Sequence, residues 1–159
     1  MSAHHSPPVL FLDVDGVLNQ RGTLHRFQGV RGVDPEKVEQ LHRIIAATDC
    51  RIVLASTWRK YPDHVAHLAE QLGVPYTSRL IGQTPVDVPA FTGGYTSRGH
   101  EIGAFLAAHP EIKVFVILDD DRDMGQLTKF AVYTDDASGL TPAIANKVIS
   151  RLKFGGYAK

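Results

Sequence analysis

Near the start of the chain four apolar residues, Val9-Leu10-Phe11-Leu12, run directly into Asp13-Val14-Asp15-Gly16. A short apolar run closed by a turn residue reads as a strand buried on both faces, the pattern of a parallel sheet. Binding sites in open α/β sheets lie outside the carboxyl ends of the strands. Here that end carries two like charges one residue apart, costly to desolvate unless a cation or a shared proton offsets them. A strand that simply exits into an acidic turn is the plain alternative.

The segments that follow alternate helix and strand. Asp34-Pro35 reads as an N-cap with proline at the first helical position, and Val38, Leu41, Ile44 and Ile45 carry the helix to about residue 48. Residues 51–56 repeat the buried-strand pattern and end in Ser56-Thr57-Trp58-Arg59. A helix is expected over 62–72 with Gly73 as its stop, another over 98–108, a strand over 113–118, a last strand over 130–133, and a helix from Thr141-Pro142 to about 152. The strand at 113–118 ends in Asp119-Asp120-Asp121-Arg122-Asp123.

Two stretches are expected to be irregular. Residues 16–33 are punctuated by glycine and carry Arg21, Arg26 and Arg31 with no acidic residue, which suits either a solvated hairpin or a flap that attracts an anion. Between 74 and 97, a short strand at Val74 meets Pro75, Pro85, Pro89, Gly93 and Gly94, which forbid regular structure beyond it. Tyr76, Phe91 and Tyr95 in this loop could stack on a substrate ring or simply pack.

The alternation predicts an α/β, three-layer, Rossmann-like fold: a central, mostly parallel sheet with helices on both faces. One domain is expected over 9–154, with a lead-in at 1–8 and a tail at 155–159. At 159 residues and 43% hydrophobic, a chain of this size buries roughly two thirds of its unfolded surface. Lys+Arg and Asp+Glu both number 17, so net charge selects no partner. The single cysteine, Cys50, excludes an internal disulfide and fits a reducing, cytoplasmic setting. The lead-in lacks the apolar core of a signal peptide, and no apolar stretch approaches the ~20 residues that span a membrane, so no membrane partner is expected. His64 and His67 are one turn apart without a third ligand in view and read as surface residues, not a metal site.

In such a sheet three polar strand ends, Asp13-Val14-Asp15, Ser56-Thr57 and Asp119-Asp120, converge on one edge, with Arg98 opening a helix nearby. Carboxylates clustered without histidine or cysteine prefer a hard cation, most plausibly Mg²⁺, and Mg²⁺ with outer positions free commonly meets a phosphate. An aspartate can serve as nucleophile, and a second carboxylate can move the protons.

The segments FLDVDGVLN, VLAST, Arg98 on its helix and VILDDDRD resemble, in order, the four motifs of the haloacid dehalogenase (HAD) superfamily of phosphohydrolases, over residues 9–123. Within it, DVDGVLN, STWR, RGHEI, ILDDD and the later GLT are similar to small capless HAD-like domains named for Swiss-army-knife RNA repair proteins. The resemblance implies a Mg²⁺-dependent phosphatase acting through an aspartyl-phosphate. It makes Asp13 the nucleophile and a metal ligand, and Asp15 the general acid/base and a ligand through its backbone carbonyl. It assigns Ser56 to a phosphoryl oxygen, places Arg98 where the family has lysine or arginine, and completes the metal set with Asp119 and Asp120. Gly16 permits the turn, and Gly16, Thr57 and Arg59 are expected beside the substrate. Three consecutive aspartates leave the ligand register open; the family pattern favours Asp120 as direct ligand, with Asp119 holding Arg98 or a water behind it. The motif spacing leaves no room for a separate cap domain. Capless relatives tend to take large substrates, so the expected substrate is a phosphorylated nucleic-acid end or nucleotide. A small phosphometabolite or a phosphoprotein is the alternative within the same mechanism. A non-catalytic binding domain is the alternative outside it, against which stands the retention of both Asp13 and Asp15.

Overall fold

The apolar run Val9–Leu12 forms β1, with all four residues buried. In the computed structural model, which describes residues 6–86, 88 and 97–155, β1 is the middle strand of a five-stranded sheet. It pairs with β4 (Arg51–Leu54) on one side and β6 (Phe115–Asp119) on the other. The edges are β5 (Leu80–Gln83) and β7 (Ala131–Tyr133), giving the order β5-β4-β1-β6-β7 with every pairing parallel. Side chains alternate across the pleat. Leu10, Leu12, Ile52, Leu54, Val116 and Leu118 enter one core layer, and Val9, Phe11, Val53, Phe115 and Ile117 the other.

Helices α1 (Pro35–Thr48), α2 (Pro62–Leu72) and α4 (Pro142–Phe154) contribute to the first layer, and α3 (Arg98–Ala108) to the second together with the 3-10 turn Gly125–Phe130. One handedness rule explains the division for the three helices that connect strands. Crossovers from β1 to β4 and from β4 to β5 step the same way across the sheet, so right-handed connections keep α1 and α2 on one face. The step from β5 back to β6 reverses direction, and the same hand sends α3 to the opposite face. That reversal leaves a crevice between the ends of β1 and β6, the switch point at which such sheets bind ligands.

Local signals set the helix ends. Thr141 caps α4 by accepting from the Ile144 N–H at 3.2 Å. Asp34 precedes Pro35 as expected, but its carboxylate does not cap α1 and instead accepts from the Thr23 hydroxyl at 2.7 Å. Residues 16–33 contain an antiparallel hairpin of β2 (Arg26–Phe27) and β3 (Val30–Arg31). Its turn residues Gln28 and Gly29 both have positive φ, as a two-residue hairpin matched to strand twist requires.

The stretch after Gly73 differs from expectation. No strand forms at Val74; Tyr76–Arg79 is a 3-10 turn, and Leu80–Gln83 is an edge strand that the sequence analysis missed. Its residues are only half-buried or exposed and Gly82 interrupts it, so it shows no apolar run. Pairing to β4, not local pattern, makes it a strand. No helix among the described residues is long and apolar enough to cross a membrane.

Phe11 ties the second layer together, with its ring edge-on to Phe105 and Phe115 at 5.7 and 5.8 Å. Phe11→Ala should lower unfolding free energy by about 3–5 kcal/mol, read from the denaturant midpoint at unchanged slope.

Candidate active site

The backbone ladder continues one residue beyond the strands and fixes the edge at which the polar residues meet. The Asp13 N–H donates to the Leu118 carbonyl at 3.0 Å, Ala55 N–H to Leu12 at 2.8 Å, and Thr134 N–H to Asp119 at 2.9 Å. Strand parity then aims the side chains. Phe11 and Ile117 face the α3 layer, so Asp13 and Asp119, two residues further on, face it as well. Arg98, the first residue of α3, meets both: one guanidinium nitrogen lies 2.9 Å from Asp119 and 3.2 Å from Asp13.

Asp120 approaches from the other side of the turn after β1. Gly16 has φ +82°, and a Cβ there would overlap the Asp120 carboxylate, so glycine is required on two counts. The Gly16 peptide is held at both ends: its N–H donates to Asn19 Oδ1 at 2.9 Å, and its carbonyl accepts from the Thr134 hydroxyl at 2.7 Å. Asn19, fully buried, also donates through Nδ2 to Asp15 Oδ1 and to the Gly32 carbonyl, both at 2.9 Å. The other Asp15 oxygen accepts from the Trp58 indole at 3.3 Å.

Ser56, buried at the end of β4, accepts from the Trp58 N–H at 3.1 Å and starts the 3-10 turn Thr57–Lys60. Its hydroxyl proton is left to donate elsewhere. Thr57 is exposed beside it. Arg59 is placed differently from the expectation of a substrate contact. Its side chain is 2% exposed, and its guanidinium donates to the carbonyls of Ser56, Thr84 and Pro85 and to Glu101 Oε2 at 2.6 Å. The arginine after the serine motif thus fastens the Ser56 turn to α3 from within.

One carboxylate oxygen from each of Asp13, Asp119 and Asp120 lies within 4.8 Å of the others. Burial and the Asp119 charge push the Asp13 carboxyl up to about 7. Burial and the facing Asp13 push Asp120 up to about 7 as well. Burial also raises Asp119, against the opposing pull of Arg98. Burial works against the Arg98 charge, but Asp119 and Asp13 outweigh it and raise its pKa. Three clustered carboxylates, only two of them paired with a guanidinium, leave the pocket short of positive charge, and an oxygen donor set of this kind fits a hard divalent cation. Within the set the roles differ. Asp119 is occupied through both oxygens, by Arg98 and by the Asp121 N–H at 2.9 Å, whereas Asp120 is half-buried against the Gly16 turn.

Asp121 is exposed, and the Asp123 carbonyl accepts the Gly99 N–H at 3.0 Å, docking the start of α3 on the loop after β6. The basic flap is partly neutralised, since Arg31 pairs with Asp136 at 2.8 Å and Arg21 lies 3.9 Å from the same carboxylate, while Arg26 is exposed. Phe27 on the flap stacks on His67 at 4.0 Å and stands edge-on to His64 at 4.9 Å; His64 in turn stands edge-on to Trp58 at 5.0 Å. His64 and His67 are thus half-buried packing residues outside the acidic cluster, not surface residues. Tyr76 stacks on His42 at 3.8 Å; Phe91 and Tyr95 lie outside the described residues. Sequence reasoning missed Asn19, Trp58 and Thr134 as supports of the site. Asn19 and Trp58 lay inside the quoted motifs; Asn19 reaches Asp15 within one local turn, four residues on, whereas only the fold brings Trp58 onto it.

A fully parallel sheet with DxDG after its central strand and a second aspartate pair after the adjacent strand is a HAD-like arrangement, a class that suggests hydrolase chemistry of the phosphatase type. The chain belongs to the family described as the HAD domain in Swiss Army Knife RNA repair proteins, which matches residues 9–145. No curated protein matches it.

The raised carboxyls set a pH dependence. Asp13 and Asp120 titrate near 7 in the folded protein against 3.8 ordinarily, so between about pH 4 and pH 7 the folded state binds more protons than the unfolded chain. Stability from these groups is therefore present at low pH and lost as pH rises through that window. In chelator, the melting temperature should fall from about pH 5 to about pH 8 and the fall should shrink in Asp120→Asn; added Mg²⁺ should raise it more at the higher pH.

Proposed function

We propose that this domain is a Mg²⁺-dependent phosphomonoesterase that works through a phosphorylated Asp13. The observation that carries the reading is Asp13 itself: a buried carboxylate at the switch point, bonded to Arg98 and flanked by Asp119 and Asp120. An Asp13 oxygen attacks phosphorus, the bond to the leaving oxygen breaks, and that oxygen takes a proton from Asp15. Water then attacks the phosphorus of the aspartyl-phosphate, giving its proton to Asp15 and releasing phosphate with Asp13 restored. Ser56 and Arg98 donate to the phosphoryl oxygens, and Thr57, exposed next to Ser56, offers a further hydroxyl. Asp13, Asp119, Asp120 and the Asp15 carbonyl would hold Mg²⁺, which supplies positive charge against the phosphoryl oxygens.

For the substrate, a phosphorylated nucleic-acid end or nucleotide is supported by the family's association with RNA repair and by the exposed Arg26 on the flap. One observation favours a smaller phosphate ester: Asp136 partly neutralises Arg21 and Arg31, which weakens the flap as an anion trap. Oligonucleotides phosphorylated at either end, compared with a small aryl phosphate, separate the two. The buried Cys50 thiol, its pKa pushed up by burial, suits a reducing, cytoplasmic setting.

Asp13→Asn should fold normally yet reduce turnover of an aryl phosphate by several orders of magnitude, each tenfold being about 1.4 kcal/mol of barrier. Wild-type turnover by the folded variant rejects the mechanism. Because Asp119 is already occupied by Arg98, Asp120→Asn should raise the Mg²⁺ concentration needed for half-maximal activity more than Asp119→Asn does, and Asp121→Asn should leave it unchanged. The reverse order would move the direct ligand to Asp119.

A further inference from the structure

The acid/base carboxylate does not stand free in its loop. One Asp15 oxygen accepts from Asn19 Nδ2 at 2.9 Å and the other from the indole N–H of Trp58 at 3.3 Å. Trp58 is 3% exposed. Its ring is set by a backbone bond from its own N–H to Ser56 Oγ and by the edge-on His64. His64 is itself packed against Phe27 of the flap. A carboxylate offers about four lone-pair positions, so two held oxygens still leave sites toward the substrate.

We infer that Trp58 is a positioning residue for proton transfer, fixing the rotation of the Asp15 carboxyl so that it meets the leaving oxygen; this rests on the reading of Asp15 given above. The same indole connects Asp15 to the turn that carries Ser56, so the proton donor and a phosphate-binding hydroxyl share one support. A held acid matters only where the leaving oxygen is too basic to depart unprotonated. The arrangement therefore suits phosphate esters of poor leaving groups, such as the alkoxide of an alcohol or sugar, over activated esters.

The test compares phenyl phosphate with 4-nitrophenyl phosphate, which share a ring and differ in leaving-group basicity. The quantity is kcat/KM, which covers the steps through phosphoryl transfer to Asp13. Trp58→Phe keeps the ring and removes the N–H. It should lose about tenfold or more on phenyl phosphate, out of the 10²–10⁴-fold typical of general acid catalysis, and about twofold or less on the nitrophenyl ester. Equal losses on both esters, or none, overturn the inference while leaving the catalytic reading intact. Wild-type activity on phenyl phosphate in Asp15→Ala, or no turnover of either ester by the wild-type protein, overturns that reading and this inference with it. Trp58 is the only tryptophan, so its single indole N–H resonance reports the contact directly. That resonance should shift in Asp15→Ala, and its failure to move overturns the inference whether or not Trp58→Phe folds.

Discussion

The mutual repulsion of Asp13, Asp119 and Asp120 is the interaction to which the surrounding structure is fitted. Buried like charges persist only where something opposes them, and here the opposition is built from several directions. Arg98 reaches Asp13 and Asp119 from the helix layer that strand parity makes them face. The Asp121 N–H holds the remaining Asp119 oxygen, and the pKa values of Asp13 and Asp120 rise until a proton can take the place of a cation. A proton or a cation would answer the same deficit of positive charge in such a cluster.

The fold supplies the geometry that makes this possible. A parallel sheet sets the ends of β1 and β6 side by side, and the reversal of crossover direction leaves the space above them free of a connecting helix. Beneath, the first turn of α3 is docked on the loop after β6 through Gly99 and Asp123. The cation is thereby delivered from one face of the sheet to acids on two strands.

What the sequence disclosed follows where the information is local. The strands buried on both faces announce themselves as apolar runs, and Pro35, Pro62, Pro142 and Gly73 punctuate the helices near their observed ends. Leu80–Gln83 escaped because an edge strand with Gly82 inside it has no local pattern to show. The acidic cluster was legible because it falls at strand ends whose direction the topology fixes. Arg59 misled because a motif position says that a cation is near the turn, not which way its stem points; burial among three carbonyls and Glu101 is a tertiary fact. The support of Asp15 by Trp58 was hidden for the same reason, since the indole lies 43 residues away along the chain.

The Arg59–Glu101 pair joins the turn bearing Ser56, which follows a strand, to the helix bearing Arg98. Removing either partner strands a charge in the interior at a cost of about 3–5 kcal/mol, whereas replacing both with apolar groups of similar volume costs far less. The two positions are therefore coupled: a change at one alone leaves a buried charge unopposed, and a change at both together avoids it. The turn that carries Ser56 and the helix that carries Arg98 are in this sense one mechanical unit, and a shift of either is felt by the other.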